Sequence, residues 1–223
     1  MLALGSVPAF QKCLFVELDN SAAAALERRT KRFGARATVI RGDANAVLPR
    51  LLRDDVHPLA PCFCLLDPEG MELAWNTVEA ISQTPQRTRK PELLILFPSM
   101  WLLRLLPRAG FINPQHDRVL SRVMPNDRWR QVYDDRLSGV MEPAEAKEQY
   151  AEIYRQALEA LGYNAFRHRI EAPSSPGARR RERYQLIFAT QHPAGEKIMA
   201  DVFARPYVLD FPVRPQMRFW EED

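Results

Sequence analysis

The sequence predicts an α/β fold built on an open, mostly parallel sheet that a carboxyl-terminal antiparallel hairpin closes. Three strand-like runs carry this prediction, because each ends on an acidic residue and leads towards a helix-like segment. The three acidic ends lie at Glu17, Asp43 and Asp67. In open α/β sheets, ligands bind at the carboxyl ends of the strands. Acidic ends without a basic neighbour favour a ligand with hydroxyl and amine groups, such as a nucleoside, over a phosphate.

The amino-terminal half alternates strand-like and helix-like segments. The predicted strands span 13–19, 35–41, 61–67 and 92–97, and the predicted helices span 21–33, 44–52 and 72–83. Asn20 or Ser21 is expected to cap the first helix, and Gly34 fits the position after its end. The strand 61–67 is apolar on both faces, as a buried parallel strand should be.

The carboxyl-terminal half is less regular. Turn-forming residues predict an irregular insertion with a short helix or two at about 111–141, and a long helix at 143–161 follows it. The segments 163–172 and 184–190 then read as an antiparallel pair of strands. We expect one domain over residues 1–205 and an extended, proline-rich tail over residues 206–223.

Composition narrows the class of protein. The chain has 223 residues, of which 46% are hydrophobic and 26% charged, and this balance is typical of one globular domain. Its most apolar stretches, 93–97 and 101–106, are too short to span a bilayer, and no signal segment opens the chain. A cytoplasmic protein without a membrane partner is therefore expected. Cys62 and Cys64 are interpreted as small core residues, and no metal site is predicted.

The charge distribution offers two interpretations. The net charge is only +3, yet basic residues cluster in two runs. These basic residues are Arg87, Arg89 and Lys90 in the first run, and Arg179, Arg180, Arg181 and Arg183 in the second. Either they are solvated loop charges, or they form a surface that contacts nucleic acid.

Parallel strands followed by a reversed terminal strand resemble the Rossmann-like architecture of class I S-adenosylmethionine-dependent methyltransferases. Carboxylates at the positions of Glu17 and Asp19 would accept hydrogen bonds from the ribose hydroxyls of the cofactor. Their alternative role is to cap the next helix, which suits Asp19 better than Glu17. Asp43, with Ala44 beside it, would contact the adenine amine. Its alternative role is to cap the following helix.

The turn after the third strand provides the candidates for catalysis. Amino-methyltransferases carry Asp or Asn, two prolines and an aromatic residue there, and the first side chain holds the amine that receives the methyl group. Asp67 and Pro68 match the first half of that motif, whereas Glu69 and Gly70 replace the rest. Glu69 is a candidate general base if it is removed from water. A solvated turn is the alternative.

Four segments resemble those of the three-Cys-motif partner protein family. They are residues 15–19, 41–45, 66–70 together with Trp75, and 184–199. The resemblance implies a bacterial or phage protein with a methyltransferase-like fold and S-adenosylmethionine as cofactor. It also implies a partner encoded by a neighbouring gene, often a phage-type protein that bears the three-cysteine motif.

The chain departs from that family at its start. Family members begin with a strand and a glycine-rich loop, whereas here only four residues precede the segment Gly5-Ser6-Val7-Pro8. We therefore expect the first strand of the fold to be missing or displaced. The sheet then either has a hole or closes by direct pairing of the strands at 13–19 and 61–67. The missing loop would hold the methionine end of the cofactor.

Two functions remain open from the sequence. One is an S-adenosylmethionine-dependent methyltransferase that acts on nucleic acid or on a partner protein. The other is a non-catalytic, methyltransferase-like binding protein that docks the partner encoded next to it.

Overall fold

The computed structural model describes residues 2–107, 110–173 and 180–204, and within them the chain forms six strands and eight α-helices. The strands are β1 (Cys13–Glu17), β2 (Ala37–Arg41), β3 (Phe63–Leu66), β4 (Glu92–Phe97), β5 (Asn164–Pro173) and β6 (Arg180–Thr190). The helices are α1 (Asn20–Thr30), α2 (Ala44–Asp54), α3 (Trp75–Ser82), α4 (Ser99–Leu105), α5 (Pro114–Val123), α6 (Arg128–Leu137), α7 (Pro143–Ala160) and α8 (Pro193–Ala204).

The strands form two separate sheets. β1 and β2 make a parallel pair, and the other four strands make a sheet with the order β3-β4-β6-β5. β3 and β4 are parallel, while β6 is antiparallel to both β4 and β5. The α/β fold class is confirmed, and so is the antiparallel pair near the carboxyl-terminal end.

Of the two alternatives that the sequence left open, a hole in the sheet or direct pairing of β1 with β3, the structure has the hole. No ladder joins these two strands in the part of the chain that the structure describes, so the sheet has a hole rather than a direct pairing. Helix α2 crosses this interruption, because it contacts β1 and also packs on α3. Its Leu52 is buried in the core of the larger sheet. One helix therefore holds the two sheets together.

The main core lies on one face of the four-stranded sheet. Along β4, Leu93, Ile95 and Phe97 are fully buried, as the two-residue period of a strand requires when one face is covered. Tyr150 and Tyr154 of α7 pack into the same core, and the Tyr154 ring lies 5.2 Å from that of Phe97. This face is closed by helices.

The opposite face is open at β3. Phe63 and Leu65 are 41% and 57% exposed, whereas the adjacent Leu66 is only 5% exposed. At the other end of the sheet, α8 covers this face, where the ring of Phe203 stacks on His168. The two apolar side chains therefore border the interruption without a covering element among the described residues.

The irregular insertion predicted at about 111–141 contains two regular helices. Asn113 caps α5 by accepting a hydrogen bond from the backbone N–H of Gln115, and Pro114 begins the helix. Arg130 of α6 forms an ion pair with Asp117 of α5. Trp129 is fully buried, so it anchors α6 to the core.

None of the helices in the described ranges is long and apolar enough to cross a membrane. The predicted tail at 206–223 lies outside the described residues.

Candidate functional site

Three turns form the candidate site, which we call the rim: residues 17–19 after β1, 42–45 after β2 and 67–72 after β3. In the first turn, Asp19 caps α1 by accepting hydrogen bonds from the backbone N–H of Ala22 and the hydroxyl of Ser21, both at 2.7 Å. The bond from Ala22, supported by Ser21, holds the pKa of Asp19 below its usual value. The carboxylate of Asp19 is thus used to cap α1.

Glu17 is held in the same turn by hydrogen bonds. Its carboxylate accepts a hydrogen bond from the backbone N–H of Asp19 at 2.9 Å. Its backbone oxygen accepts one from the N–H of Gly42 at 3.0 Å, which ties the first turn of the rim to the second. A ligand would meet Glu17 in a fixed position.

The second turn places Asp43 as the N-cap of α2. One oxygen of its carboxylate, Oδ1, accepts hydrogen bonds from the backbone N–H of Asn45 at 2.9 Å and from the side-chain amide of Asn45 at 3.0 Å. Asp43 therefore caps α2, which is the alternative role that the sequence left open for it. Its second oxygen, Oδ2, is the atom that an amine on a ligand would meet. Ala44 follows as the first residue of α2.

Asn45 joins the second turn to the third. Its side-chain amide donates to the backbone oxygen of Glu72 at 3.0 Å, and its side-chain oxygen accepts from the N–H of Ala74 at 2.9 Å. The hydroxyl of Thr77 donates to the same oxygen at 2.8 Å. The segments that carry Asp43 and Asp67 therefore lie side by side even though their strands belong to different sheets. The sequence analysis did not single out Asn45, although its place two residues after a capping aspartate was the available signal.

The third turn holds Asp67 and Glu69, both of which are exposed. Partial removal from water raises the pKa of Asp67. The turn is closed by Glu72, whose carboxylate accepts a hydrogen bond from the backbone N–H of Gly70 at 2.8 Å. Unlike Asp19 and Asp43, Asp67 is not the N-cap of a described helix.

Trp101 is a neighbour of this turn that the sequence analysis did not identify. A Cβ atom at Gly70 would lie 3.6 Å from its ring, so the missing side chain lets the indole approach the backbone. The ring is 44% exposed, and the guanidinium of Arg104 lies 4.8 Å from its centroid. Trp75 is instead buried in the core, with its ring 5.0 Å from that of Tyr154 in an edge-to-face contact.

The space beside the third turn is small. A cavity of about 10 Å³ lies beneath it, between Pro68, Gly70, Phe97 and Tyr154. That volume holds about one water molecule. Any larger ligand would therefore lie along the open surface of the rim.

The first basic run is partly used within the protein. Arg87 donates to the backbone oxygens of Ala60 at 2.6 Å and His57 at 3.3 Å, and Lys90 donates to that of Ser82 at 3.2 Å. Arg89 is exposed. Most of the second run lies in β6. The structure describes only the backbone of Arg180, Arg181 and Arg183, and Arg179 lies outside the described residues.

Comparisons with known proteins give distant structural likenesses. No family model matches it, and no curated protein matches it. Among solved structures, it is similar to precorrin 8W decarboxylase of Methanobacterium thermoautotrophicum, with 11% identity, a TM-score of 0.39, and coverage of 85% of this chain and 74% of that chain. It is also similar to a protein from work on the conversion of a disulfide bond into a thioacetal group during echinomycin biosynthesis, with 11% identity and a TM-score of 0.35. That likeness covers 92% of this chain and 77% of the other. Both likenesses are too distant to carry an argument about function.

Proposed function

We propose that this chain is a methyltransferase-like protein of the three-Cys-motif partner type that binds an adenosine-containing ligand along the rim. The observation that carries the proposal is the Asn45 bridge, which brings the turn of Asp43 against the turn of Asp67. In this arrangement Glu17 accepts the ribose hydroxyls, Asp43 accepts the adenine amine through Oδ2, and Asp67 orients an acceptor amine. A partly desolvated carboxyl such as that of Asp67 interacts strongly with an amine.

S-adenosylmethionine fits only part of this surface. The carboxylates suit its adenosyl end, but its methionine end needs backbone N–H groups that the ligand can approach closely. The two glycines in the rim do not offer such a cradle. The side chain of Val47 fills the space above Gly42, since it lies 2.9 Å from where a Cβ atom would be. The side chains of Glu72 and Trp101 fill the space above Gly70, where Glu72 lies 3.3 Å from the position of a Cβ atom. The methionine end therefore does not fit the described residues, and no methyl-transfer step is derived for them.

Thermal-shift titration tests nucleoside binding. S-adenosylhomocysteine and adenosine should both raise the unfolding midpoint, because a ligand of the native state stabilises it by RT ln(1 + [L]/Kd). Glu17→Gln and Asp43→Asn should each reduce the shift. Asp54→Asn is the matched control, because Asp54 is an exposed acid that pairs with Arg53 away from the rim. The proposal of nucleoside binding is ruled out if neither ligand shifts the unfolding midpoint. The same result is required of a chain that is extended by translating the codons upstream of residue 1.

A second candidate, supported by a different observation, is a non-catalytic protein that docks the partner encoded next to it. The interrupted sheet leaves Phe63 and Leu65 exposed at the edge strand β3, and exposed apolar side chains at a strand edge are common in protein interfaces. The three-cysteine protein of the neighbouring gene should then co-elute with this chain in size-exclusion chromatography. Phe63→Lys should abolish co-elution, whereas Phe111→Lys, at a fully exposed position elsewhere, should not. Separate elution of the two proteins would contradict docking.

A nucleic-acid acceptor has a separate signature. If Arg89 and the second basic run contact phosphates, binding of an oligonucleotide should weaken steeply as salt concentration rises, because counterions are released on binding. Fluorescence anisotropy at several salt concentrations measures this slope. Absent or salt-independent binding would favour a protein acceptor over nucleic acid.

A further inference from the structure

Two thiols lie together at the start of β3, away from the rim. Cys62 directly precedes the strand and Cys64 is its second residue, so the two side chains project from the same face. Their sulfur atoms are 3.9 Å apart. Both residues are half-buried and pack against the core of the larger sheet, so each keeps part of its surface in contact with solvent. The third cysteine, Cys13, lies in β1 of the other sheet.

The two thiols differ in their readiness to ionise. The hydrogen bond from Cys64 lowers the pKa of Cys62, and the positive charge of Arg87 acts in the same direction against the effect of burial. The same bond, together with burial, raises the pKa of Cys64. Since the thiolate is the reactive form of cysteine, the lower pKa makes Cys62 the better nucleophile of the two.

Arg87 is fixed beside the pair by bonds that do not involve sulfur. Two of its guanidinium nitrogens donate to the backbone oxygens of His57 and Ala60, just before Cys62 in the chain. Its third nitrogen, Nε, is buried and has no hydrogen-bond partner within the described residues. A buried donor without a partner is unfavourable, and a negative charge on Cys62, whose pKa Arg87 lowers, would partly offset that cost.

The backbone here has room to adjust. Cys62 is held to β4 by its oxygen, which accepts from the N–H of Glu92 at 2.9 Å. The opposite edge of β3 carries no ladder to β1 within the described residues, so among them β3 pairs with β4 alone. The sulfur atoms must approach from 3.9 Å to about 2.05 Å to form a bond, a shift that rotation of the two side chains and a small backbone movement can supply.

We propose that Cys62 and Cys64 form a thiol pair that reduces hydroperoxides and closes to a reversible disulfide. The Cys62 thiolate attacks one oxygen of hydrogen peroxide, the O–O bond breaks, and the departing hydroxide takes up a proton to leave as water. Cys62 is then a sulfenic acid. The Cys64 sulfur attacks the Cys62 sulfur, its thiol proton passes to the departing hydroxide, and a second water leaves. Two thiols are oxidised, and one peroxide is reduced to two waters.

Mass spectrometry after differential alkylation tests the pair. The whole chain is treated with hydrogen peroxide, free thiols are alkylated, and the tryptic peptide between Arg53 and Arg87, which contains both cysteines, is measured. We expect this peptide to lose the mass of two hydrogens and to escape alkylation, and dithiothreitol to restore both thiols. Cys13→Ser should leave this result unchanged.

Two variants separate the roles of the thiols. Cys64→Ser should stop the reaction at a sulfenic acid on Cys62, which dimedone traps, whereas Cys62→Ser should leave Cys64 reduced. Arg87→Gln should slow oxidation of Cys62 roughly three- to tenfold by reducing the thiolate fraction. The proposal is overturned if Cys62 oxidises no faster than Cys13, or if Cys62 passes to sulfinic acid while Cys64 stays free. Circular dichroism of each variant confirms that the fold is retained.

Discussion

The side-chain oxygen of Asn45 accepts a hydrogen bond from the backbone N–H of Ala74, 29 residues further along the chain, at 2.9 Å. This bond and its companions connect the end of β2 to the start of α3, and so connect the smaller sheet to the larger one. A single side chain spans the region where the strands themselves do not pair.

Replacement of Asn45 should therefore weaken the junction between the two sheets. Asn45→Ala removes the hydrogen bonds that the side chain of Asn45 makes with Glu72, Ala74 and Thr77. Because partly buried polar groups then lose their partners, we expect the free energy of unfolding to fall by about 2–3 kcal/mol. Urea denaturation measures the change. Gln131→Ala, which removes an exposed side-chain hydrogen bond in α6, should change it by less than about 0.5 kcal/mol. Equal effects of the two variants would mean that the Asn45 bridge adds nothing to stability.

Gly42 should tolerate no side chain. Its φ of 153° lies in a region that other residues rarely adopt, and a Cβ would lie 2.9 Å from the side chain of Val47. We expect Gly42→Ala to destabilise the fold by about 1–3 kcal/mol, measured as a lower unfolding midpoint. Gly5→Ala is the control, because nothing lies within 4 Å of its added methyl group. A neutral Gly42→Ala would show that the turn of the rim relaxes freely.

The open edge of the larger sheet can be tested on two adjacent residues of β3. Leu65→Ala should cost less than about 0.5 kcal/mol, because the side chain is 57% exposed, whereas Leu66→Ala should cost about 2–4 kcal/mol, because it empties part of the core. Chemical denaturation of both variants provides the comparison. A large loss with Leu65→Ala would mean that another segment covers this face in solution.

Acid should weaken the contact between α7 and β5. The hydrogen bond from Arg155, with further help from Gln156 and the charge of Arg167, lowers the pKa of Glu152 below its ordinary value of 4.5. The unfolded state therefore binds more protons near pH 4.5, so this stabilisation is present above that pH and is lost as the pH falls through the lower folded value. The unfolding midpoint measured from pH 7 to pH 3 should fall less in Glu152→Gln than in the unmodified chain. The exposed Glu142→Gln should follow the unmodified chain, and a Glu152→Gln profile that also follows it would contradict the assignment.

Several helices and strands could be predicted from the sequence, because capping residues and hydrophobic periodicity act over only a few neighbouring residues. Strand β4 has the predicted bounds 92–97, and α7 begins at Pro143 as predicted. Other ends moved by a few residues: α1 ends at Thr30 rather than near residue 33, and a 3-10 helix, Lys31–Arg36, takes up the chain before β2. Helices α4 and α8 were not predicted, since Pro98 and Gly195 obscure the pattern near their starts.

The arrangement of these elements could not be obtained in the same way. Whether β1 pairs with β3 depends on contacts between residues about 50 positions apart in the chain, and the strand sequences allow either pairing or a hole. The rim shows the same limit: an aspartate before a helix predicts a cap, and Asp19 and Asp43 are caps. The approach of Trp101 to Gly70 is visible only when α4 is placed next to the third turn.

The burial of Gln185 in β6 has a consequence for how the terminal pair of strands assembles. Its side chain is fully enclosed, accepts from Arg167 of β5 at 3.1 Å and donates to Glu148 of α7 at 2.9 Å. A slip of β6 by one residue would turn this amide to the opposite face and bring a neighbouring side chain against Arg167 and Glu148 in its place. The two longest strands among the described residues are thus aligned by a buried polar residue as well as by the buried apolar residues on the same face, such as Ile187 and Ala189.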